Sequence, residues 1–372
     1  MRVTIERAAL LKALNHVQSV VERRNTIPIL SNVLVKAEGD GVRLSTTDLD
    51  IEVVESSPAE VGQPGATTAP AHMLYDIVRK LPDGAQLEIA QGPDENRLAI
   101  LAGRSRFSLA ALPPEDFPDL AAGAMPHKFS LPAKDLKALI DKTRFAISTE
   151  ETRYYLNGIY LHAVETEGVE MLRAVATDGH RLAQVQLPLP EGAKGIEGAI
   201  VPRKTVLELA KLVEDTDGDV AIAMSDAKIR FALGSVVLTS KLIDGTFPDY
   251  ERVIPKDNDK SLEVDTKLFS QAVDRVSTIS SDKGRAVKLN LENDRIILTV
   301  NNPDQGSAEE EIAASYGAEP IEIGFNSRYL LDIASQFESD SAHFQLADAG
   351  SPTVVRDGND ETALFVLMPM RV

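Results

Sequence analysis

The sequence predicts an α+β protein built from three similar domains, each with two helices packed on β-sheet. Three observations carry this reading. First, an apolar quartet spaced i, i+3, i+4, i+7 occurs three times: Leu74, Ile77, Val78, Leu81; Val206, Leu209, Ala210, Val213; and Leu330, Ile333, Ala334, Phe337. That spacing puts four apolar side chains on one stripe of a helix. The copies lie 132 and 124 residues apart in a chain of 372, which makes the repeating unit about 125 residues long. Second, an earlier amphipathic stretch precedes each copy. Third, segments of alternating polarity lie between the paired helices.

Taken in order, the earlier helices are expected over 7–24, 133–146 and 265–283. Their apolar faces carry Leu10, Leu14, Val17, Val21; Leu136, Ile140, Thr143, Ile147; and Phe269, Val273, Val276, Ile279. Strands are expected at 42–46, 172–176 and 296–300, each ending in a polar pair: Thr47-Asp48, Thr177-Asp178 and Asn301-Asn302. The later helices are expected over 71–81, 202–213 and 326–338. Pro70 and Pro202 mark the first two starts, and Asn326-Ser327 offers caps for the third. Further strands follow, two of them leading into the similar loops 115–119 and 245–249, which share Phe-Pro-Asp. Each unit is thus two helices with roughly eight short strands.

The expected domains are 1–122, 126–254 and 258–372, joined near Ala121-Ala122-Gly123-Ala124 and Pro255-Lys256-Asp257-Asn258. Neither join has the length of a flexible tether, so the domains are expected to be fixed relative to one another. Hydrophobic residues make up 43% of the chain, ample for three ordinary cores. With no cysteine, disulfide and thiolate chemistry are excluded. Arg2, Glu6, Arg7 and Lys12 interrupt the start, and no apolar run approaches a membrane span. A soluble intracellular protein without membrane partners is expected.

Net charge is −18, which at first argues against a nucleic-acid partner. Its distribution weakens that objection. The six helical spans hold 17 Lys or Arg against 10 Asp or Glu, leaving −25 on the remainder. Helices of one sign within an acidic shell suit a protein that meets phosphates only on its helical side, although exposed helix faces also carry Lys and Arg for solubility. Size permits this. A 124-residue domain has a diameter of about 35 Å; three in a ring leave a hole of about 5 Å, and six leave about 35 Å, wide enough for B-DNA. A head-to-tail dimer supplies six.

The most enzyme-like segment is Thr177-Asp178-Gly179-His180-Arg181. Asp beside His raises acid–base or metal chemistry. No second His or carboxylate cluster stands at ligand spacing, and there is no Gly-rich phosphate loop or nucleophile elbow. The segment therefore reads as a turn between strands, shaped by Asp178-Gly179. No catalytic residue, metal or cofactor is expected. These absences also count against the rival reading, a sugar- or nucleotide-processing enzyme on repeated α+β units.

A family resemblance rests on residues 153–158 (Arg-Tyr-Tyr-Leu-Asn-Gly), 176–182 (Ala-Thr-Asp-Gly-His-Arg-Leu), 201–204 (Val-Pro-Arg-Lys), 247–250 (Phe-Pro-Asp-Tyr) and 368–372 (Met-Pro-Met-Arg-Val). Residues 65–68, 103–108 and 324–326 add to it. In this order over the full length, the strings resemble the bacterial DNA polymerase sliding clamps, the beta subunits of polymerase III. The resemblance implies a homodimeric ring of six domains with helices lining the hole. It implies no catalysis, sliding on duplex DNA without sequence preference, and loading by a clamp loader. It also implies tethering of the replicative polymerase and other clamp-binding-motif proteins, in the cytoplasm at the nucleoid and replisome.

Residue by residue, the resemblance implies a partner-peptide slot walled by Leu156, Thr177, Gly179, His180, Arg181, Leu182, Pro248, Arg252, Val253, Val366, Leu367, Met368, Pro369, Met370 and Arg371. An apolar slot of this kind suits a short motif with aliphatic or aromatic anchors and one Gln, and methionines adapt to several partners. Taken alone, residues 368–372 read rather as an ordinary C-terminal edge strand stopped by Pro369. The chain has Val372 where the family usually has Leu. DNA contacts are implied at Arg24, Tyr154 and Tyr155. The tyrosines suit stacking on bases or bonding to phosphates, unless one is core and the other rim. His72 and Glu150 stand at DNA-facing positions where the family pattern often has Arg and Gln, so weaker and more pH-sensitive contact is expected there. The dimer contact is implied between Phe107 and Leu109 of one chain and Arg275, Thr278 and Ile279 of the other, the last two replacing a pair of aliphatic residues.

Overall fold

In the computed structural model, residues 1–92, 96–120, 123–280 and 285–371 are described, and their six helices fall at the six expected places. They are α1 (Arg7–Gln18), α2 (Ala71–Lys80), α3 (Ala133–Arg144), α4 (Arg203–Glu214), α5 (Thr266–Ser277) and α6 (Ser327–Ala334). Side chains cap three of the starts. Glu6 accepts from the Ala9 amide (3.4 Å), Asp265 from Leu268 (2.7 Å) and Asn326 from Arg328 (3.0 Å). Pro70 precedes α2, whose last turn carries Arg79 and Lys80 against the negative end of the helix dipole.

The expected helix 7–24 stops at Gln18. β-Branched Val20 and Val21 are both buried, and the Val21 amide turns back to the Gln18 carbonyl at 3.2 Å, so packing takes these residues out of the helix. Ser281, Asp282 and Lys283 of the expected helix 265–283 lie outside the described residues, as do Ala121, Ala122 and Val372.

Two compact units make up the chain. One comprises Met1–Lys137, Pro190–Lys194 and Lys204–Leu242; the other comprises Ala138–Leu189, Gly195–Arg203 and Ile243–Val372. Neither coincides with a single repeat, because backbone pairing continues from one repeat into the next. In the first unit, strand Val236–Lys241 pairs with Ile51–Pro58, with Leu238 opposite Val53. In the second, Arg181–Pro188 pairs with Ala363–Leu367, with Ala183 opposite Phe365.

The first unit holds an eight-stranded sheet and a five-stranded sheet, the latter ordered Glu60–Gln63, Arg2–Glu6, Gln86–Gln91, Arg97–Ala102, Ser105–Ala110. Leu10, Leu14 and Val17 of α1 and Leu74 and Val78 of α2 are buried; α1 packs on α2 and on strands Gly41–Thr47 and Ile51–Pro58. The second unit holds a nine-stranded sheet and a four-stranded sheet, the latter ordered Gly306–Ala313, Arg295–Asn302, Ala286–Glu292, Ile321–Asn326. There α5 buries Phe269, Val273 and Val276 and packs on α6 and the four-stranded sheet. The strand pairings among the described residues are antiparallel, as short connections between neighbouring strands allow.

The repeat extends to single turns. Asp48 Oδ1 accepts from the amides of Asp50 (2.9 Å) and Ile51 (2.8 Å), and Asp178 Oδ1 accepts from those of His180 (2.9 Å) and Arg181 (3.1 Å). Thr47 and Thr177 each accept from the amide two residues on. The following residues share a left-handed φ, 80° at Leu49 and 87° at Gly179. Asn302 makes the corresponding bond to the Asp304 amide at 3.0 Å. Asp178 and His180 thus belong to a repeated side-chain-capped turn, and Asp178 is held as a structural acceptor.

A buried ion pair in the first unit gives a pH-dependent stability. His16 Nδ1 of α1 lies 2.6 Å from Glu55 Oε2, and its Nε2 lies 3.7 Å from Asp215. The hydrogen bond to Glu55 raises the His16 pKa, desolvation opposes it, the Glu55 charge adds to it, and Lys12 and Asp215 give smaller opposing contributions. A raised histidine pKa stabilises the fold fully below the unfolded value near 6.5, and the contribution disappears as pH rises through the folded value. Thermal unfolding midpoints are therefore expected to fall between pH 6 and 9 more steeply in the wild type than in His16→Gln. Parallel profiles for the two proteins contradict the assignment.

Candidate partner slot and nucleic-acid contacts

A cavity of about 300 Å³ opens in the second unit, where residues distant in sequence converge. Its floor is Leu156, Leu182, Tyr250 and Val366, all in one buried cluster with Val175, Ile200, Phe247, Val354 and Leu364. Its walls include Pro248, Val253 and Met368. Val253 and Met368 are 50% and 39% exposed, unusual for apolar residues of their size and suited to an apolar ligand. Thr177, Gly179 and Arg181 complete the side formed by the Asp178 turn. Gly179 is required there twice over. Its φ is +87°, and a Cβ would come within 2.5 Å of Arg153 Nη1.

The charged walls are fixed by partners. Arg153 forks onto Glu150 (Nε–Oε2 2.8 Å, Nη2–Oε1 2.6 Å) and donates to the Asp178 carbonyl at 3.0 Å. That hydrogen bond, first of its causes, lowers the Glu150 pKa and raises that of Arg153. Arg181 donates from Nε to Asp178 (3.1 Å), from Nη1 to Asp332 (2.6 Å) and from Nη2 to the Phe145 carbonyl (2.6 Å). Its guanidinium also lies over the Tyr329 ring at 4.2 Å and the Phe145 ring at 5.1 Å. Arg181 is therefore a rigid wall.

Nine residues expected in the slot line this cavity: Leu156, Thr177, Gly179, Arg181, Leu182, Pro248, Val253, Val366 and Met368. Six do not. Leu367 is fully buried, one residue out of phase with Val366 on a strand. His180 lines a neighbouring polar cavity of about 480 Å³ with Arg203, Arg328 and Tyr329. Arg252 is exposed and pairs with Asp249 at 2.6 Å. The terminal residues hold the tail: the Met368 amide donates to His180 (2.9 Å) and the Met370 amide to Gly324 (2.7 Å), while Pro369 is half-buried and Arg371 exposed. Strand Ala363–Leu367 lies between Arg181–Pro188 and Thr353–Asp357, so it is an interior strand; residues 368 and 369 lie beyond it and do not form an edge strand. Arg153, Tyr155, Asp249 and Tyr250 also line the cavity, although the sequence reading did not place them in the slot.

The expected DNA contacts divide. Arg24 is exposed and makes no ion pair among the described residues. Tyr154 is 53% exposed; Tyr155 packs against the slot cluster, edge-on to Tyr154 at 5.8 Å. His72 is half-buried, with Nε2 donating to the Val21 carbonyl (2.9 Å) and Nδ1 2.8 Å from Gln18 Oε1, so both ring nitrogens are engaged within the fold. The helices carry fourteen Lys or Arg against seven Asp or Glu, which keeps the positive excess expected from sequence.

The expected dimer residues lie on sheet edges or beside them. Ser105–Ala110 is the edge of the five-stranded sheet and carries half-buried Phe107 and buried Leu109 between exposed Arg106 and Ser108. Gly306–Ala313 is the edge of the four-stranded sheet and carries Glu309, Glu310 and Glu311, which the sequence reading overlooked. Arg275 grips Glu310 (Nε–Oε2 3.0 Å) near the end of α5, with Thr278 exposed and Ile279 half-buried just beyond.

Three repeats of one α+β topology and an apolar slot between strands and short turns give the chain the architecture of a clamp-type protein. Residues 1–121, 130–249 and 251–371 match the N-terminal, central and C-terminal domains of the DNA polymerase III beta subunit. The chain is 57% identical to the beta sliding clamp of Caulobacter vibrioides and 40% identical to that of Escherichia coli K12, with each chain fully covered. It superposes on the Bartonella birtlesii sliding clamp bound to griselimycin with a TM-score of 0.97 at 57% identity, covering 100% of both chains. For the Caulobacter crescentus clamp, with polyethylene glycol at its candidate beta-motif tethering region, the TM-score is 0.98 at 57% identity, covering 100% and 99%. The chain belongs to the bacterial beta sliding clamps, the DNA polymerase III beta subunits, which serve as processivity factors in DNA replication. DNA and polymerase are its partner classes. Among the described residues no helix is long and apolar enough to cross a membrane.

Proposed function

We propose that two copies of this chain close head to tail into a six-domain ring around duplex DNA, with domains 1–122, 126–254 and 258–372 in each copy. The observation that carries the closure is a pair of complementary free edges. One edge offers Arg104 and Arg106 around Phe107; the other offers three consecutive glutamates near Ile279. Antiparallel addition of one to the other would remove two open sheet edges per joint. The six-domain ring then leaves a hole of about 35 Å, and phosphate contacts from the helices are loose enough for sliding.

Contact with the duplex or with a displaced single strand falls to Arg24, Tyr154 and Tyr155. Glu150 weakens it by neutralising Arg153. The slot takes the clamp-binding motif of the replicative polymerase, the clamp loader and other partners, at the replisome. Polyethylene glycol at the candidate beta-motif tethering region of the Caulobacter crescentus clamp supports a ligand site of this kind in the family. The test of the ring is topological. Once loaded, the protein is expected to stay on closed circular DNA and to leave a linear form of the same DNA within minutes. Equal retention on both forms contradicts the ring.

A further inference from the structure

We propose that Arg173 is a positioning residue for the slot: through Tyr250 and Glu251 it holds the short helical turn that forms one wall, without itself lining the cavity. The proposal rests on the peptide-slot reading above. Arg173 stands on strand Val169–Thr177 and is buried, yet all its donors are satisfied. Nε and Nη2 reach Gln186 Oε1 at 3.2 and 2.9 Å, and Nη2 reaches Thr166 Oγ1 at 2.9 Å. Nη1 donates to the Tyr250 hydroxyl and to Glu251 Oε1, each at 2.9 Å. Tyr250 and Glu251 begin the four-residue turn Tyr250–Val253, at whose end Val253 enters the slot.

A guanidinium only donates, so the phenol oxygen accepts from Arg173 and its O–H donates a hydrogen bond to His162 Nε2, 2.9 Å away. His162 is then a neutral ring with its proton on Nδ1. This agrees with burial, followed by the Arg173 charge, pushing its pKa down to about 4. Behind Tyr250, the rings of Phe247, Tyr160 and His162 stack in a column, at 4.9 Å and 6° and at 4.4 Å and 19°. Gly198 permits that column, because a Cβ there would overlap the Tyr160 phenol. Of these groups only Tyr250 lines the cavity. A half-exposed valine on a single turn has few contacts to order it. Tying the start of the turn to a buried arginine supplies the order before the ligand arrives, which lowers the entropic cost of binding.

The test measures the affinity of a fluorescent Gln-Leu-Ala-Leu-Phe peptide for the full chain. Arg173→Met is expected to raise Kd about tenfold and Glu251→Ala about threefold, with Arg173→Lys recovering part of the loss. Val253→Ala, which weakens the wild type, is expected to add little in the Arg173→Met background, because the side chain is then no longer held in place. The dimer mass by light scattering stays unchanged in all of them. A Kd within twofold of wild type for both Arg173→Met and Glu251→Ala overturns the proposal, as does full additivity with Val253→Ala. Should Arg173→Met fail to fold, the Glu251→Ala and Val253→Ala cycle decides by the same criteria. If charging the slot itself, in Val253→Asp with Met368→Asp, leaves Kd unchanged, the slot reading falls and takes this proposal with it.

Discussion

Replacing Phe107 and Ile279 together by aspartate is expected to convert the protein from a dimer to a monomer of 40.3 kDa. Neither substitution should unfold the chain, since Phe107 lies on an edge strand and Ile279 just past the end of α5, both only half-buried. In the joint, each lost apolar anchor removes roughly 2 kcal/mol of burial. Each buried carboxylate also adds a desolvation cost, and Asp at 279 would stand near the glutamate edge. Together these exceed about 4 kcal/mol per joint, or a thousandfold in the association constant. In the proposed joint Thr278 offers less apolar surface than a large aliphatic residue would, so little excess stability would protect it. Light scattering at micromolar concentration reads the result, and an unchanged dimer mass refutes the assigned joint. The same variant should fail to remain on circular DNA.

Charging the slot wall gives the second large effect. Val253→Asp with Met368→Asp is expected to weaken binding of a Gln-Leu-x-Leu-Phe peptide at least about a hundredfold, because two apolar contacts are replaced by carboxylates that lose water when the ligand seats. Both side chains are exposed, so the unfolding midpoint should move little. The dimer mass should persist, since neither residue belongs to the proposed joint. A peptide affinity within twofold of wild type contradicts the slot. Loss of peptide binding together with loss of the dimer points to general misfolding and also fails to support it.

The repeated helices were legible because a 3.6-residue period survives in any window that contains Leu74 to Leu81 or its copies. Their ends were less legible. Val20 and Val21 continue the apolar stripe of α1 but are buried outside the helix, a choice made by packing that local pattern does not encode. Pairing of strands from successive repeats was equally invisible, since one strand's alternation does not name its neighbour.

The slot could not be read from spacing at all. Leu156, Leu182, Val253 and Val366 meet only after one nine-stranded sheet and two short helical turns have folded, and only the family resemblance groups them in the sequence. That resemblance also placed Leu367, His180 and Met370 in the slot; none of the three lines the cavity, Leu367 being buried in the sheet and His180 lining the neighbouring polar cavity. Arg173 and Glu310 lay on apolar-alternating or acidic strands with nothing to mark them. Their roles follow from the residues they bond outside the sheet, Tyr250 on a short turn in one case and Arg275 on α5 in the other.

Electron microscopy of the purified protein with a short duplex tests the central claim most directly. The expected image is a six-lobed ring of two chains, with an opening of about 35 Å threaded by the duplex. Single-chain globules, or particles that bind the duplex on an outer face with no central opening, would contradict it.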